Sequence, residues 1–117
     1  MSNTTQYSII LQLEDADIFC LNILDDLQKA FGFVMMRIWH DIEDAIICEE
    51  KNQMYELEQQ GKMWHPNAFQ LPDDIIPDIG RPQALSMGNG YVIEVKHKYE
   101  GTPHHSEYYY ILEVENN

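Results

Sequence analysis

The chain has 117 residues, which is the size of one domain, and its 20 acidic and 7 basic residues give a net charge of −13. Its hydrophobic content of 44% is typical of a folded globular protein and excludes a disordered acidic tail. The negative charge disfavours direct binding to nucleic acid or anionic membranes, and it favours basic protein surfaces and cations. We therefore expect a single acidic globular domain over residues 1–117.

Neither a membrane span nor a secretory signal is evident. No apolar run reaches the ~20 residues of a span, and the opening MSNTTQYS lacks a basic region and an apolar core. We expect a cytoplasmic monomer. Cys20 and Cys48 lie far apart among aliphatic residues, which favours reduced cysteines in the core over a disulfide.

The first half of the chain predicts one strand and then helices. Residues 6–13, QYSIILQL, are typical of a short strand with one apolar face: Tyr7, Ile9, Leu11 and Leu13. EDAD follows and indicates a helix start, because Asp15 or Asp17 can cap free N–H groups. Gly32 would end this helix. Its apolar stripe would be Ile18, Leu21, Leu24 and Phe31, with Leu27 close by.

The middle of the chain predicts a second helix and then a long loop. Residues 33–39 fit a helix or a strand, whereas residues 41–60 favour a helix that Gly61 ends. Four prolines then exclude long regular elements between residues 62 and 90. The segment 71–82, LPDDIIPDIGRP, predicts a packed loop with at most one helical turn.

The last third of the chain predicts a β-hairpin. YVIEVKHKYE and SEYYYILEVE flank the turn GTPHH, and both segments are rich in strand-forming residues. The first strand would present Tyr91, Ile93, Val95 and Tyr99 on one face, and the second would turn Tyr108, Tyr110, Leu112 and Val114 inward. The predicted fold class is α+β: a small antiparallel sheet that includes this hairpin, with two or three helices packed on one face.

Motifs for catalysis or metal binding are weak. His97, His104, His105 and Glu107 could approach one another across the hairpin, but neighbouring strand residues point to opposite faces, and no Cys pair or HExxH motif accompanies them. Solvated turn histidines explain them. A phosphate-binding glycine loop and an EF-hand pattern are also absent. We predict no catalytic residue, no metal ligand, no cofactor and no enzymatic activity.

Carboxylates dominate residues 40–61, where seven acids accompany a single lysine. An apolar stripe on this helix would face the core, so the acids would face water. Because most of them cannot find an internal base, their mutual repulsion favours a functional role. The candidate partner-binding residues are Asp25, Asp26, Asp41, Glu43, Asp44, Glu49, Glu50, Glu56, Glu58, Asp73, Asp74 and Asp78.

In length, acidity and mixed helix–sheet pattern the whole chain resembles the small bacterial DNA-mimic proteins, and it is most similar to the mimic that binds the histone-like nucleoid protein HU. The resemblance implies a non-catalytic function in which carboxylates imitate phosphates and occupy the DNA-binding surface of a basic protein.

Three other functions remain open. An immunity protein that binds and inhibits a basic toxin nuclease would use similar electrostatics against one specific partner. A small enzyme or metal-binding protein would use His97, His104, His105 and Glu107. An acidic adaptor would bind its partner through the apolar region around Met63, Trp64 and Phe69.

Overall fold

The computed structural model describes residues 4–14, 17–86, 88–98 and 105–116. Antiparallel strands and one long helix make up this part of the chain. The elements are β1 (Thr4–Leu13), β2 (Ile18–Leu24), α1 (Leu27–Gln59), a 3₁₀ turn (Pro66–Ala68), β3 (Asp78–Ile79), β4 (Gln83–Ala84), β5 (Gly90–His97) and β6 (His105–Asn116).

The sheet has the strand order β2-β1-β6-β5-β3, and β4 also pairs with β5. β3 and β4 therefore form an interrupted edge strand, while β1 and β6 pair at the centre. The predicted α+β class and antiparallel sheet are confirmed. The prediction of two or three helices was wrong, because α1 is the one α-helix of the described residues.

One stripe of α1 packs on one face of the sheet. Ala30, Val34, Ile38 and Ile42 recur every four residues and are buried. They contact side chains that alternate along the strands, because every second residue of a strand points to the same face. The buried sheet residues are Ile9, Leu11, Ile93, Val95, Tyr109 and Ile111.

The predicted first helix was wrong, because residues 18–24 form the edge strand β2 instead. Residues three apart face opposite sides of a regular strand, but the register shift between Ile9 and Ile10 allows both Leu21 and Leu24 to pack against the core. The helix begins later, and Asp26 caps it by accepting a hydrogen bond from the Gln28 backbone N–H. Neither Asp17, which precedes β2, nor Gly32, which lies inside α1, bounds a helix. Asp15 lies outside the described residues.

The open choice at residues 33–39 resolves as helix, and α1 is therefore longer than predicted. Its end is confirmed, since the last helical residue is Gln59 and Gly61 adopts a left-handed φ of 72°. The predicted loop also exists, although its helical turn lies at Pro66–Ala68 instead of within residues 71–82.

The C-terminal hairpin is confirmed as the antiparallel pair β5 and β6, whereas its turn GTPHH falls mainly on residues outside the described part. The inward face of β5 is as predicted, since Ile93 and Val95 are buried. The face predicted for β6 was wrong, because Tyr109 and Ile111 are the fully buried residues. Tyr108, Tyr110, Leu112 and Val114 therefore lie on the opposite face, which α1 does not cover.

The two cysteines are free and exposed, so the prediction of core cysteines was wrong. Cys20 lies on β2, where its Sγ atom is 3.7 Å from Oγ of Ser8, and Cys48 lies on α1. Within the described residues, no helix combines the length and the apolar character needed to cross a membrane.

Two glycines provide a matched test of this packing. A Cβ atom at Gly90 would overlap the backbone oxygen of Ile111, whereas one at Gly32 meets no atom within 4 Å. We expect Gly90→Ala to lower the free energy of unfolding by about 1–3 kcal/mol, because β5 and β6 must move apart to make room for the methyl group. Gly32→Ala should raise it by about 0.5–1 kcal/mol, because alanine favours the helix. Urea denaturation measures both, and equal effects of the same sign would contradict the strand arrangement.

Candidate functional site

The predicted partner-binding carboxylates lie mainly on the solvent side of α1 and of the loop after it. Ten of the twelve residues are exposed, and Glu49 and Asp74 are half-buried. Seven of the twelve lie between Asp41 and the end of α1, a stretch that contains Lys51 as its single base. The exposed ones are Asp25, Asp26, Asp41, Glu43, Asp44, Glu50, Glu56, Glu58, Asp73 and Asp78.

Few of these carboxylates have a basic partner. Asp25 pairs with Lys29 at 3.6 Å on the surface, and Asp78 pairs with Lys98 at 2.8 Å. Asp26 is used as the helix cap. Among the described residues, no ion pair neutralises Asp44, Glu50, Glu56, Glu58 or Asp73. Their charge is therefore available to an external cation or basic protein.

The structure does not join all twelve acids into one continuous surface. Asp25 and Asp26 precede the first turn of α1, and Glu58 lies near its last residue, roughly 50 Å away at 1.5 Å per residue. Glu43 and Glu50 are two turns apart, and the half-exposed side chain of Ile47 lies between them. The outward surface of α1 is thus acidic with apolar interruptions.

The second half of α1 and the loop after it bring further acids together. The Gln53 side chain donates to the backbone oxygen of Gln70 at 2.7 Å and accepts from its N–H at 2.9 Å. This double hydrogen bond holds the loop against the helix. Asp73 and Asp74, which follow in the same loop, are therefore held near the acidic half of α1.

A different cluster lies at the end of the hairpin, on the face of the sheet that α1 covers. His97 of β5 and His105 of β6 are directly opposite each other, and Glu107 is two residues further along β6. All three share the face of the buried Val95 and Tyr109, because alternate strand residues point the same way. Three ionisable side chains therefore occupy positions that apolar side chains fill elsewhere in the sheet.

The Glu107 carboxylate contacts both imidazole rings through their Nε2 atoms. Its Oε2 atom is 3.2 Å from Nε2 of His97, and its Oε1 atom is 3.4 Å from Nε2 of His105. The rings are nearly parallel, with centroids 4.7 Å apart. The exposed fraction is 19% for the His97 side chain and 13% for Glu107, so the charges are largely removed from water.

This proximity changes the ionisation of the pair. Contact with the Glu107 carboxylate raises the pKa of His97 above its usual range, although burial partly opposes the shift. The same contact lowers the pKa of Glu107 against the effect of its own burial. Desolvation of its carboxyl group, followed by the negative charge of Glu107, raises the pKa of Asp41 on the facing helix, although the residue as a whole is exposed.

A cavity of about 270 Å³ opens beside the cluster. Asp41, Ile42 and Ala45 of α1 form one wall, and Ile75 and Pro77 of the long loop form another. One potential ligand atom from each of His97, His105 and Glu107 lies within 4.8 Å of the other two. The cluster could therefore hold a cation, and the cavity has room for water or a small ligand beside it.

The prediction of solvated turn histidines was wrong for His97 and His105, which are strand residues and partly buried. The rule that neighbouring strand residues point to opposite faces does not exclude this cluster, because the cluster contains His105 and does not need His104. His104 lies outside the described residues. The sequence shows that His105 and Glu107 are two residues apart, which places them on one face of a strand. The register of the hairpin, which the structure supplies, adds His97 to that face by pairing it with His105.

The adaptor surface suggested by the sequence is only partly exposed. Met63 is 93% exposed, whereas Trp64 and Phe69 are half-buried. Comparisons of the chain with known protein families, with characterised proteins and with solved structures found no match. The function must therefore be argued from the arrangement of the side chains.

The His97–Glu107 pair predicts a specific pH dependence of stability in metal-free protein. The raised pKa of His97 contributes stability below about pH 6.5 that is lost as pH rises through the folded value. The lowered pKa of Glu107 contributes stability above about pH 4.5 that is lost as pH falls through its folded value. Both contributions are therefore largest at about pH 5–6.

We expect His97→Gln to cost on the order of 1 kcal/mol at about pH 5.5 and less at about pH 8.5, as measured by urea denaturation with a chelator present. His40→Gln is the control, because the His40–Glu43 pair is exposed and weak. A His97→Gln cost that does not change with pH would contradict the pairing.

Proposed function

We propose that the protein is a non-catalytic DNA mimic whose surface carboxylates imitate phosphates and occupy the DNA-binding surface of a basic protein such as the nucleoid protein HU. The observation that carries the proposal is the ratio of seven carboxylates to one lysine from Asp41 to the end of α1, most of them exposed and unpaired. A basic DNA-binding surface supplies the charge that these groups lack within the described residues.

The shape of the molecule supports this proposal. The Cα radius of gyration is 18.6 Å, whereas a compact domain of this length has about 13 Å. The principal extents are 69 × 26 × 21 Å, and α1 alone spans about 50 Å. A long narrow body can lie along a basic groove that is built for a duplex.

The second half of α1 is the best-placed contact surface. The buried residues of the helix end at Ile42, so the helix from Glu43 to Gln59 contributes no fully buried side chain to the core. Glu50 and Glu58 are exposed there and have no ion-pair partner among the described residues. Their carboxylates can pair with lysine or arginine of a partner without disturbing the fold.

We expect the protein to displace duplex DNA from purified HU, because both compete for the same basic surface. The effect should weaken at least about tenfold between ~50 and ~200 mM salt, because paired charges are screened and counterions are released. Fluorescence anisotropy of labelled DNA measures the displacement. The absence of competition at the lower salt would contradict the proposal.

Charge reversal locates the contact surface. Glu50→Lys combined with Glu58→Lys should weaken competition more than Asp17→Lys combined with Glu113→Lys, which changes the net charge equally but lies outside α1. Asp26 is unsuitable for this test, because its loss removes the helix cap and costs about 1 kcal/mol of stability. Equal weakening by the two double variants would show that α1 is not the contact surface.

A second function, an immunity protein that inhibits a basic toxin nuclease, is favoured by the apolar side chains exposed on the same helix. Trp39 is 50% exposed and Ile47 is 51% exposed. Large side chains of this kind act as central anchors in tight interfaces, whereas imitation of phosphates does not need them.

Capture from bacterial cytosol on the immobilised protein separates the two functions. For a DNA mimic, added duplex DNA should release the captured protein, and Trp39→Ala should have little effect. For an immunity protein, added duplex DNA should not release the captured nuclease. Trp39→Ala should weaken nuclease binding by about 30-fold or more, which corresponds to the loss of one interface anchor.

A further inference from the structure

We propose that His97, His105 and Glu107 form a binding site for a divalent first-row transition-metal ion, with Zn²⁺ as the best-fitting ion. The three ligands lie on the sheet and not on α1, although Asp41 of the acidic helix lines the adjoining cavity, so the site does not depend on the function proposed above. Its three ligands come from the paired ends of β5 and β6.

The distances between the ligand atoms fit such an ion. Zn²⁺ binds histidine nitrogen and carboxylate oxygen at about 2.0–2.2 Å, so two ligand atoms of a tetrahedral site lie about 3.3–3.4 Å apart. The two nitrogen–oxygen distances in the cluster are 3.2 Å from His97 and 3.4 Å from His105, each to a different oxygen of the Glu107 carboxylate. All three ligand atoms lie within 4.8 Å of one another, so small movements would place them around one ion.

The position of the cluster also favours an ion. A glutamate and two histidines on the covered face of a sheet lose hydration, and a metal ion can replace the interactions that they lose. Nε2 of His97 is buried and has no aligned hydrogen bond among the described residues, although the Glu107 carboxylate is close. An ion bound between the two groups could replace this close but poorly aligned contact.

The choice of ligands selects the class of metal. Imidazole nitrogen suits Zn²⁺ and other first-row transition ions, whereas Mg²⁺ and Ca²⁺ prefer sites made only of oxygen. Two histidines and one glutamate leave a fourth tetrahedral position for water, and the adjoining cavity of about 270 Å³ has space for it. The Asp41 carboxylate lines the same cavity and adds negative charge near the ion.

Binding requires one local rearrangement. The two imidazole rings are only 18° from parallel, and an ion in the plane of one ring would lie outside the plane of the other. The rings must therefore rotate out of their stacked arrangement when the ion binds. Rotation about the side-chain torsions is sufficient, because the strand backbone already holds His97 opposite His105.

The test uses the full chain without a histidine tag, stripped of metal with a chelator. We expect Zn²⁺ to bind with 1:1 stoichiometry in competition with a chromophoric chelator, and to raise the unfolding temperature. Co²⁺ in the same site should give the intense visible absorption of a four-coordinate ion. Lack of 1:1 Zn²⁺ binding, or equal competition by Mg²⁺ or Ca²⁺, would overturn the proposal.

Single variants assign the ligands. His97→Gln, His105→Gln and Glu107→Gln should each lower Zn²⁺ affinity by more than about 100-fold, which exceeds the effect of losing a supporting group. His40→Gln should leave it unchanged, because His40 lies on the exposed surface of α1. If a metal-free variant fails to fold, the Co²⁺ spectrum of the wild type still tests the site. Zn²⁺ affinity that is retained in all three ligand variants would overturn the assignment. A lower Zn²⁺ affinity in His104→Gln, with wild-type affinity in His105→Gln, would also overturn it.

Discussion

The contact between one stripe of α1 and one face of the sheet is the constraint on which the rest of the structure depends. Four helical residues from Ala30 to Ile42 meet the inward residues of β1, β5 and β6. Because this stripe occupies only the first half of the helix, the second half extends past the core and presents its carboxylates to solvent. The same contact places α1 above His97 and Glu107, so packing positions both candidate sites.

The sequence predicted most of the fold by its alternation and its breaks, and it failed where two patterns coincided. Strand β1 and the inward face of β5 followed from clear alternation of apolar residues. Strand β2 was mistaken for a helix because its apolar residues recur every three positions, and pairing with β1 outweighed that pattern. The inward face of β6 was predicted one residue out of phase, because Tyr108 to Leu112 is a continuous apolar run without alternation. The pairing of Ile9 with Ile111 decides which of these residues face inward.

The two candidate sites differ in how far a sequence can predict them. Surplus acidity is a property of composition, and ten of twelve chosen carboxylates are indeed exposed. Which of them remain unpaired depends on contacts such as Asp78 with Lys98, which join residues 20 positions apart. The histidine–glutamate cluster depends on the register of one hairpin, and a shift by one residue would separate His105 from His97. Composition alone carries no information about register.

The double hydrogen bond between Gln53 and Gln70 has a consequence for the acidic end of the molecule. The amide reproduces the donor and acceptor pattern of a neighbouring strand, and it is electrically neutral. Ionic strength and acidity alter the carboxylates around it, including Glu49, which accepts a further hydrogen bond from Nε2 of Gln53 at 3.1 Å, but the two hydrogen bonds to Gln70 join uncharged groups. The loop segment at Gln70 should therefore keep its position when salt screens the electrostatic field of the carboxylates. Salt would then weaken the attraction to a partner without changing the shape of the binding surface.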